Sequence, residues 1–255
     1  SLGQNFLIDK NIAKKILNLT NLKSKNIIEI GPGKGALTDE ILKKNPKSLY
    51  LLEKDNELSS FLKTKYSTSK KIKIINSDVL KFDLNKIQKK NLIVLGNLPY
   101  NISSQILVKI LKNLKSRDKY SELIFMFQKE LGDKIIAKYP SKNYGRLSII
   151  TALFLKKINS FLVSSNCFFP KPKVTSMVIH FKIIKKNKYN IRNINNLEKV
   201  TNILFSQRRK MIRKNIFKII KAKQIKKIPR LNLDMRPENI SPEIYYKITE
   251  YYEEG

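Results

Sequence analysis

Cysteine and histidine are almost missing from this chain, with one of each, Cys167 and His180, in 255 residues. A lone cysteine excludes an internal disulfide and a cysteine metal cluster, fits a reducing compartment, and reads as a small apolar filler. His180 lies in an alternating apolar segment and has no second imidazole to work with. Serine–histidine triads, multi-histidine zinc sites and histidine relays are therefore largely excluded, and any chemistry must run without them. No uninterrupted apolar run approaches the length of a membrane span, and the opening SLGQNFLIDK carries neither the charged nor the apolar region of a secretory signal. These absences lead us to expect a cytoplasmic protein with no membrane partner and no metal.

Acidic residues are scarce too, 20 against 52 lysines and arginines, which leaves a formal charge of +32. The simplest partner for such a charge is a polyanion, and nucleic acid is preferred over an anionic membrane surface. Part of the excess is compositional, because lysine, isoleucine and asparagine are all abundant, as a nucleotide-biased genome would produce. With 42% hydrophobic residues the chain can bury a proper core, and its length suits one larger domain and one small one.

The rest of the chain is organised around Asn91 to Tyr100, NLIVLGNLPY, an apolar run stopped by glycine, an amide and a proline. A buried strand ending there would present a short rigid loop, and ligands of open α/β sheets gather beyond the carboxyl ends of strands. Asn97 offers a side-chain carbonyl. Leu98 offers a main-chain carbonyl in a turn stiffened by Pro99, and Tyr100 offers a flat ring. Together they suit a planar base bearing an amino group. The same four residues also suit a plain tight turn in which Asn97 bonds its own backbone and Tyr100 is core.

Earlier in the chain, Asp9 is positioned to cap a helix carrying Ile12, Ile16, Leu17 and Leu19 at helical spacing. The preceding Gly3 to Leu7, GQNFL, reads either as an ordered arm folding over something or as a frayed terminus. Asn26 to Ile30, the loop Gly31-Pro32-Gly33-Lys34-Gly35 and the apolar positions Ala36, Leu37, Ile41 and Leu42 spell strand, glycine loop, helix. Glycines let a backbone approach a ligand closely, although G-x-G-x-G differs from the dinucleotide fingerprint. Glu53 ends the next apolar run, Ser48 to Leu52, where a carboxylate can accept both hydroxyls of a ribose or stand as a solvated surface charge. After the strand Ile72 to Ile75, Asp78 can bond an adenine amino group or cap a turn. A helix over Ser103 to Leu114 and a strand over Leu123 to Phe127 follow. Strands each followed by a helix-like segment predict a doubly wound parallel sheet.

Beyond a lysine-rich helix, Leu147 to Leu155 is apolar enough for a helix or a strand end, and Thr175 to Phe181 alternates as a strand. Between them, the alternate prolines of Phe168 to Ser176, FFPKPKVTS, make an extended stiff segment. It would hold Phe168 as a wall opposite Tyr100, or serve only as a connection with its phenylalanines buried. The polar stretch Lys185 to Asn196 marks the domain boundary, giving 1–185 and 186–255. The second part is helical. Leu197, Val200, Leu204 and Phe205 lead into Gln207-Arg208-Arg209-Lys210, an apolar face continues beside Arg213 and Lys214, and Ser241-Pro242 opens a last helix. Its basic face is either solvated or a phosphate surface, and the clustered arginines favour phosphate.

GQNFL, EIGPGKGALT, Glu53, Asp78, GNLPYNIS, FFPKPKVTS and FSQRRKMIRKNI occur in one order over nearly the whole chain. In this the sequence resembles the ribosomal RNA adenine dimethyltransferase family. Several of these motifs are shared with the macrolide-resistance methyltransferases of large-subunit RNA. GNLPYN and the QRRK segment are more similar to the small-subunit, KsgA-type branch.

The resemblance implies an α/β, class I, Rossmann-like methyltransferase sheet with a small all-helical C-terminal domain that binds RNA. The methyl donor would be S-adenosyl-L-methionine. The partners would be small-subunit rRNA and the immature small ribosomal subunit, with two adjacent adenines near the RNA's three-prime end as substrate. A helical interface could make a dimer, and monomer is the default expectation. Carried onto matching positions, cofactor contacts would fall to Asn5 and Leu7 in the arm, Gly31 and Gly33 in the loop, Glu53, Asp78 and Asn97. Asn97, Leu98, Pro99, Tyr100 and Phe168 would hold the adenine, and Arg208, Arg209, Lys210 and Arg213 the RNA. The basic leader usual in the family is missing ahead of Ser1, and we expect a chain shortened there. Large-subunit methylation, a mainly RNA-binding assembly role and a transcription factor of the related mitochondrial type are the alternatives. A nicotinamide dehydrogenase would fit the glycine loop and Glu53 but would explain neither the paired aromatics nor the charge.

Overall fold

The structure is a computed structural model that describes residues 5–114 and 118–255, so Gly3 and Gln4 of the expected arm lie outside the described residues. The chain divides into two compact units. One comprises Ser1–Gly132 with Lys156–Ile183, the other Asp133–Leu155 with Ile184–Gly255. The single break expected at 185/186 is corrected by this division, because residues 133–155 pack with the second unit.

In the first unit the strands are β1 (Phe6–Leu7), β2 (Asn26–Ile30), β3 (Ser48–Glu53), β4 (Ile72–Asn76), β5 (Leu92–Asn97), β6 (Tyr120–Gln128), β7 (Leu155–Val163), β8 (Phe168–Phe169) and β9 (Ser176–Ile183). The helices are α1 (Lys10–Leu17), α2 (Ala36–Lys43), α3 (Asn56–Lys65), α4 (Ser103–Lys112) and α5 (Lys129–Ile135), the last ending in the other unit. Seven strands form one sheet in the order β4-β3-β2-β5-β6-β9-β7. From β2 the chain winds outward through β3 and β4, then returns to β5 and β6 on the other side, with all these neighbours parallel. Central parallel strands are buried on both faces. Accordingly Ile27, Ile28, Leu49, Leu51, Ile93, Val94 and Leu95 are all inaccessible to solvent.

Alternate residues choose the face. Ile27, Leu49, Leu51, Ile93, Leu95, Ile124 and Met126 join one cluster with Ala13, Ile16 and Leu17 of α1, Leu37 and Ile41 of α2 and Leu62 of α3. Two helix starts are fixed by aspartates. Asp9 Oδ1 accepts from Asn11 N at 2.8 Å and Ile12 N at 3.2 Å, and Asp55 Oδ1 accepts from Leu58 N at 2.9 Å. Each satisfies main-chain donors that a first turn leaves without partners.

The purely parallel expectation fails at one edge. β9 pairs antiparallel with β6, from Glu122↔Lys182 to Gln128↔Ser176, and β7 lies outside it. His180 is buried on β9 with Nε2 2.6 Å from Glu122 Oε2 of β6, a cross-strand pair. β1 and β8 form a separate two-stranded ribbon, Phe6↔Phe169 and Leu7↔Phe168.

The second unit is helical: α6 (Arg146–Phe154), α7 (Ile194–Phe205), the single-turn α8 (Arg213–Ile216) and α9 (Ala222–Ile225), and α10 (Pro242–Glu253). Leu153, Leu197, Val200, Leu204, Tyr245 and Ile248 fill its core. Three buried tyrosines donate to main-chain carbonyls: Tyr144 to Ile240 at 2.8 Å, Tyr245 to Pro237 at 2.7 Å and Tyr246 to Ile149 at 2.7 Å. The first and third of these bonds tie residues 133–155 to Ile184–Gly255, in keeping with the discontinuous unit. Ser241 precedes α10 as expected, with Pro242 in the first turn, but its hydroxyl makes no capping bond.

Candidate active site

The carboxyl ends of β2 and β5 meet where the winding of the sheet reverses. Ile30 pairs with Gly96, so Gly31 and Asn97 leave adjacent strands together. This is the crevice position at which open α/β sheets bind ligands. The loop after β2 has left-handed residues at Gly31, Gly33 and Gly35, with φ of 67°, 57° and 85°. Side chains rarely adopt such values, and at Gly33 a Cβ would also strike the Phe6 ring at 2.7 Å.

Glu53, at the end of β3, is only 2% exposed. Its Oε2 accepts from Gly33 N at 3.1 Å and its Oε1 from Asp55 N at 3.0 Å. Burial raises its pKa above the ordinary carboxylate value, and the main-chain bonds oppose that rise. The carboxylate therefore grips the glycine loop directly. Each oxygen keeps acceptor capacity for a hydroxyl.

Asn97 Nδ2 donates to the main-chain carbonyl of Asn5 at 2.8 Å. Pro99 O accepts from Ile102 N at 3.2 Å, closing the turn. The Tyr100 hydroxyl lies 2.5 Å from Ser176 Oγ at the start of β9, and Ser103 Oγ donates to Tyr100 O at 3.1 Å. These bonds fix the ring, and burial pushes its phenol pKa up. The expected tight turn and the expected site thus share one loop, with Asn97 bonded across to the arm rather than to its own backbone.

Two cavities open here. One, of about 690 Å³, is lined by Phe6, Leu7, Glu29, Gly31, Asp39 and Asn97 among others. The other, of about 30 Å³, is bounded by Asn5, Phe6, Gly31, Gly33 and Asn97 to Tyr100. The larger falls within the roughly 300–1,000 Å³ of small-molecule sites.

A family model described as ribosomal RNA adenine dimethylase matches residues 1–254. The chain belongs to this family. The dimethylase is 44% identical to the ribosomal RNA small subunit methyltransferase A of Pelagibacter ubique, over all of this chain and 96% of that one. It is 40% identical to the protein of the same description from Malacoplasma penetrans, over 97% and 89%. Its fold is that of a dimethyladenosine transferase from Plasmodium falciparum, with a TM-score of 0.75, 22% identity and 95% of each chain covered. The 23S rRNA methyltransferase ErmE shares the fold as well, with a TM-score of 0.72, 21% identity and 98% and 100% covered. The dimethylase is accordingly a methyltransferase of the class I fold, and S-adenosyl-L-methionine is its methyl donor.

The residues present fit that donor. Glycines held at positive φ let the backbone close on a ligand, Glu53 offers acceptors beside them, and the adjoining cavity is large enough for a nucleoside with an amino-acid tail. That cavity's lining mixes Asp9, Asp39 and Glu40 with Lys10, Lys34 and Lys43, suitable for a ligand carrying both an ammonium and a carboxylate.

Of the residues singled out in the sequence, Asn5, Gly31, Gly33 and Asn97 to Tyr100 converge on the smaller cavity, and Leu7 lines the larger. Three line neither cavity: Phe168, Asp78 and Glu53, the last reaching the smaller one only through its bond to Gly33 N. Phe168 is 3% exposed, pairs across the ribbon with Leu7 and packs in the hydrophobic cluster. The wall expected of it is corrected: neighbours on an extended strand face opposite ways, and the exposed ring is that of Phe169, at 68%. Asp78 behaves as a turn cap. Its Oδ1 accepts from Leu80 N at 2.8 Å and its Oδ2 pairs with Lys54 at 3.0 Å, and it lines neither cavity. Burial would raise the Asp78 carboxyl, but the Leu80 bond and Lys54 outweigh it and hold the pKa low.

Glu29 was missed. It sits inside β2, 2% exposed, accepts from Thr38 Oγ1 at 2.7 Å and lines the larger cavity. Burial pushes its carboxyl up to about 8. The signal was present as an acid within the otherwise apolar run Ile27 to Ile30.

Among the RNA candidates, Arg208 donates to Glu238 at 2.8 Å and to Lys142 O at 2.9 Å, and Arg213 pairs with Asp234. The side chains of Arg209 and Lys210 are exposed and make no ion pair or hydrogen bond among the described residues.

Proposed function

We propose that the chain dimethylates the 6-amino groups of two adjacent adenosines near the three-prime end of small-subunit rRNA, acting as a monomer on the immature small subunit in the cytoplasm. The small-subunit substrate is supported by relatives sharing 37–44% identity and carrying the small-subunit description. One geometric observation carries the chemistry. Asn97 and Leu98 line the smaller cavity, and Asn97 Oδ1 and the Leu98 carbonyl accept no hydrogen bond among the described residues.

An adenine amino group is a poor nucleophile because its lone pair is delocalised into the ring. Two carbonyl acceptors that take its hydrogens favour a pyramidal nitrogen with the lone pair turned outward. Asn97 Oδ1 and Leu98 O would do this, while Tyr100, fixed through Ser176, would offer a ring face to the base. S-adenosyl-L-methionine, when bound, supplies the electrophilic methyl group. Glu53 would accept ribose hydroxyls, and the loop glycines would admit the ligand's backbone contacts. No side-chain base is required, because the nitrogen becomes strongly acidic once alkylated and water can take its proton.

The test is methyl-labelled donor incubated separately with each ribosomal subunit. Label should enter small-subunit RNA, and Asn97→Ala should lower turnover by about a hundredfold or more, the scale of losing one preorganised charge-stabilising contact. Labelling of large-subunit RNA, or full turnover by Asn97→Ala, overturns the proposal.

A further inference from the structure

We infer that the main-chain carbonyl of Asn5 is a positioning group for the reaction, because it decides which end of the Asn97 amide meets the substrate. The inference rests on the proposed role of Asn97 and concerns how that role is secured. A carboxamide has two ends of nearly equal size and opposite polarity, an acceptor oxygen and a donor NH2. An adenine amino group brings hydrogens, so only the oxygen end can receive it; a flipped amide would set donor against donor.

The structure contains a device that selects the orientation. A carbonyl oxygen can only accept, so Asn5 O at 2.8 Å compels the neighbouring Asn97 atom to be the nitrogen. That leaves Oδ1 for the substrate. The assignment follows from the partner's chemistry rather than from the amide's own shape.

Asn5 is itself held. Its neighbour Phe6 pairs with Phe169, and the Phe6 ring lies so close over Gly33 that a Cβ there would come within 2.7 Å of it. Next along, Leu7 is buried opposite Phe168, and Ile8 N donates to Cys167 O at 2.9 Å. Asp9 then caps α1. Among the described residues the Phe6 ring is thus the anchor next to the carbonyl that orients Asn97, and both residues wall the smaller cavity.

A double-mutant cycle tests this, using kcat on small subunits at saturating donor and RNA. Asn97→Asp is the informative partner because a carboxylate has no NH2 for the Asn5 carbonyl to bind, so the orienting bond is already absent from that background. Phe6→Ala loosens the arm while leaving the Asn5 carbonyl in the chain. Phe6→Ala alone should lower kcat by about fivefold, the bias that one ordinary hydrogen bond supplies, and by less than about twofold in the Asn97→Asp background. As a readout independent of turnover, the side-chain NH2 protons of Asn97 should exchange about fivefold faster with solvent in Phe6→Ala, their resonances being assigned by their loss in Asn97→Asp. Equal losses in both backgrounds, or, where Asn97→Asp is too slow to measure, unchanged NH2 exchange, overturn the inference. Failure of the underlying reading looks different, since Asn97→Ala would then methylate normally.

Discussion

Two site groups of the first unit, Glu53 and Asn97, are held by main-chain atoms, whereas two arginines of the second, Arg208 and Arg213, are paired with carboxylate side chains. Glu53 is gripped by the Gly33 and Asp55 amides and Asn97 by the Asn5 carbonyl. Arg208 and Arg213, by contrast, sit in surface ion pairs with Glu238 and Asp234. Backbone partners are placed by the sheet and cannot be exchanged one at a time. Surface ion pairs are worth little and are easily replaced. The contrast suits the proposed roles, one unit placing the reacting atoms and the other offering charge to RNA.

The sharpest way to break the first half of that contrast is to move the backbone. A Cβ at Gly96 would lie 2.9 Å from Ile30 O and 2.8 Å from a Leu98 methyl. A carbonyl within a paired strand has nowhere to go, so Gly96→Ala should cost about 1–3 kcal/mol in a denaturant melt, the usual penalty of overpacking. It should also abolish most methylation by shifting the loop that carries Asn97. Wild-type stability and turnover in this variant would show that the two strand ends are not rigidly coupled.

A smaller effect separates burial from hydrogen bonding. Glu29 titrates near 8 in the fold, far above the ordinary value of 4.5, and burial is the main cause. Between those values the folded chain keeps a proton that the unfolded chain has released. The neutral carboxyl's contribution is therefore complete below about pH 4.5 and is lost as pH rises through about 8. Glu29→Gln cannot ionise and should escape that loss, so its stability relative to wild type should rise by a few kcal/mol at most between about pH 5 and 9. Parallel curves for the two proteins would show that Glu29 is already charged in the fold.

How much of this could be read beforehand follows the same division. The strand over Asn26 to Ile30, the glycine loop and the NLPY stop were legible because parallel strands are continuous apolar runs and glycines mark abrupt exits. The ribbon was not. Adjacent phenylalanines at 168 and 169 must face opposite ways, and which one turns inward is decided by Leu7, more than 150 residues away. β7 escaped notice because KKINSFLV is half polar, as an edge strand allows. Asp78 caps its turn through Leu80 N, one of the two roles its sequence allowed. The inclusion of residues 133–155 in the helical unit depends on tyrosine hydroxyls reaching carbonyls about a hundred positions later, as Tyr144 reaches Ile240, which no local pattern records.

The smallest predicted effect tests the second half of the contrast, and it separates four basic residues that look alike in sequence. Each phosphate neutralised by a cation releases counterions, contributing about 0.7–0.9 to the slope of log affinity against log salt. The side chains of Arg209 and Lys210 are exposed without a protein partner among the described residues, so removing both should flatten the slope by roughly 1.5. Arg208 and Arg213 already face carboxylates, and a phosphate would have to compete with Glu238 and Asp234. Alanine at both should flatten the slope by less than about one and cost under about 1 kcal/mol of stability. Glu238→Gln or Asp234→Asn should in turn tighten RNA binding by liberating the paired arginine. Equal slopes for the two double variants would mean that RNA displaces the carboxylates without cost, and the exposed ion pairs would then have no part in deciding which cations meet phosphate.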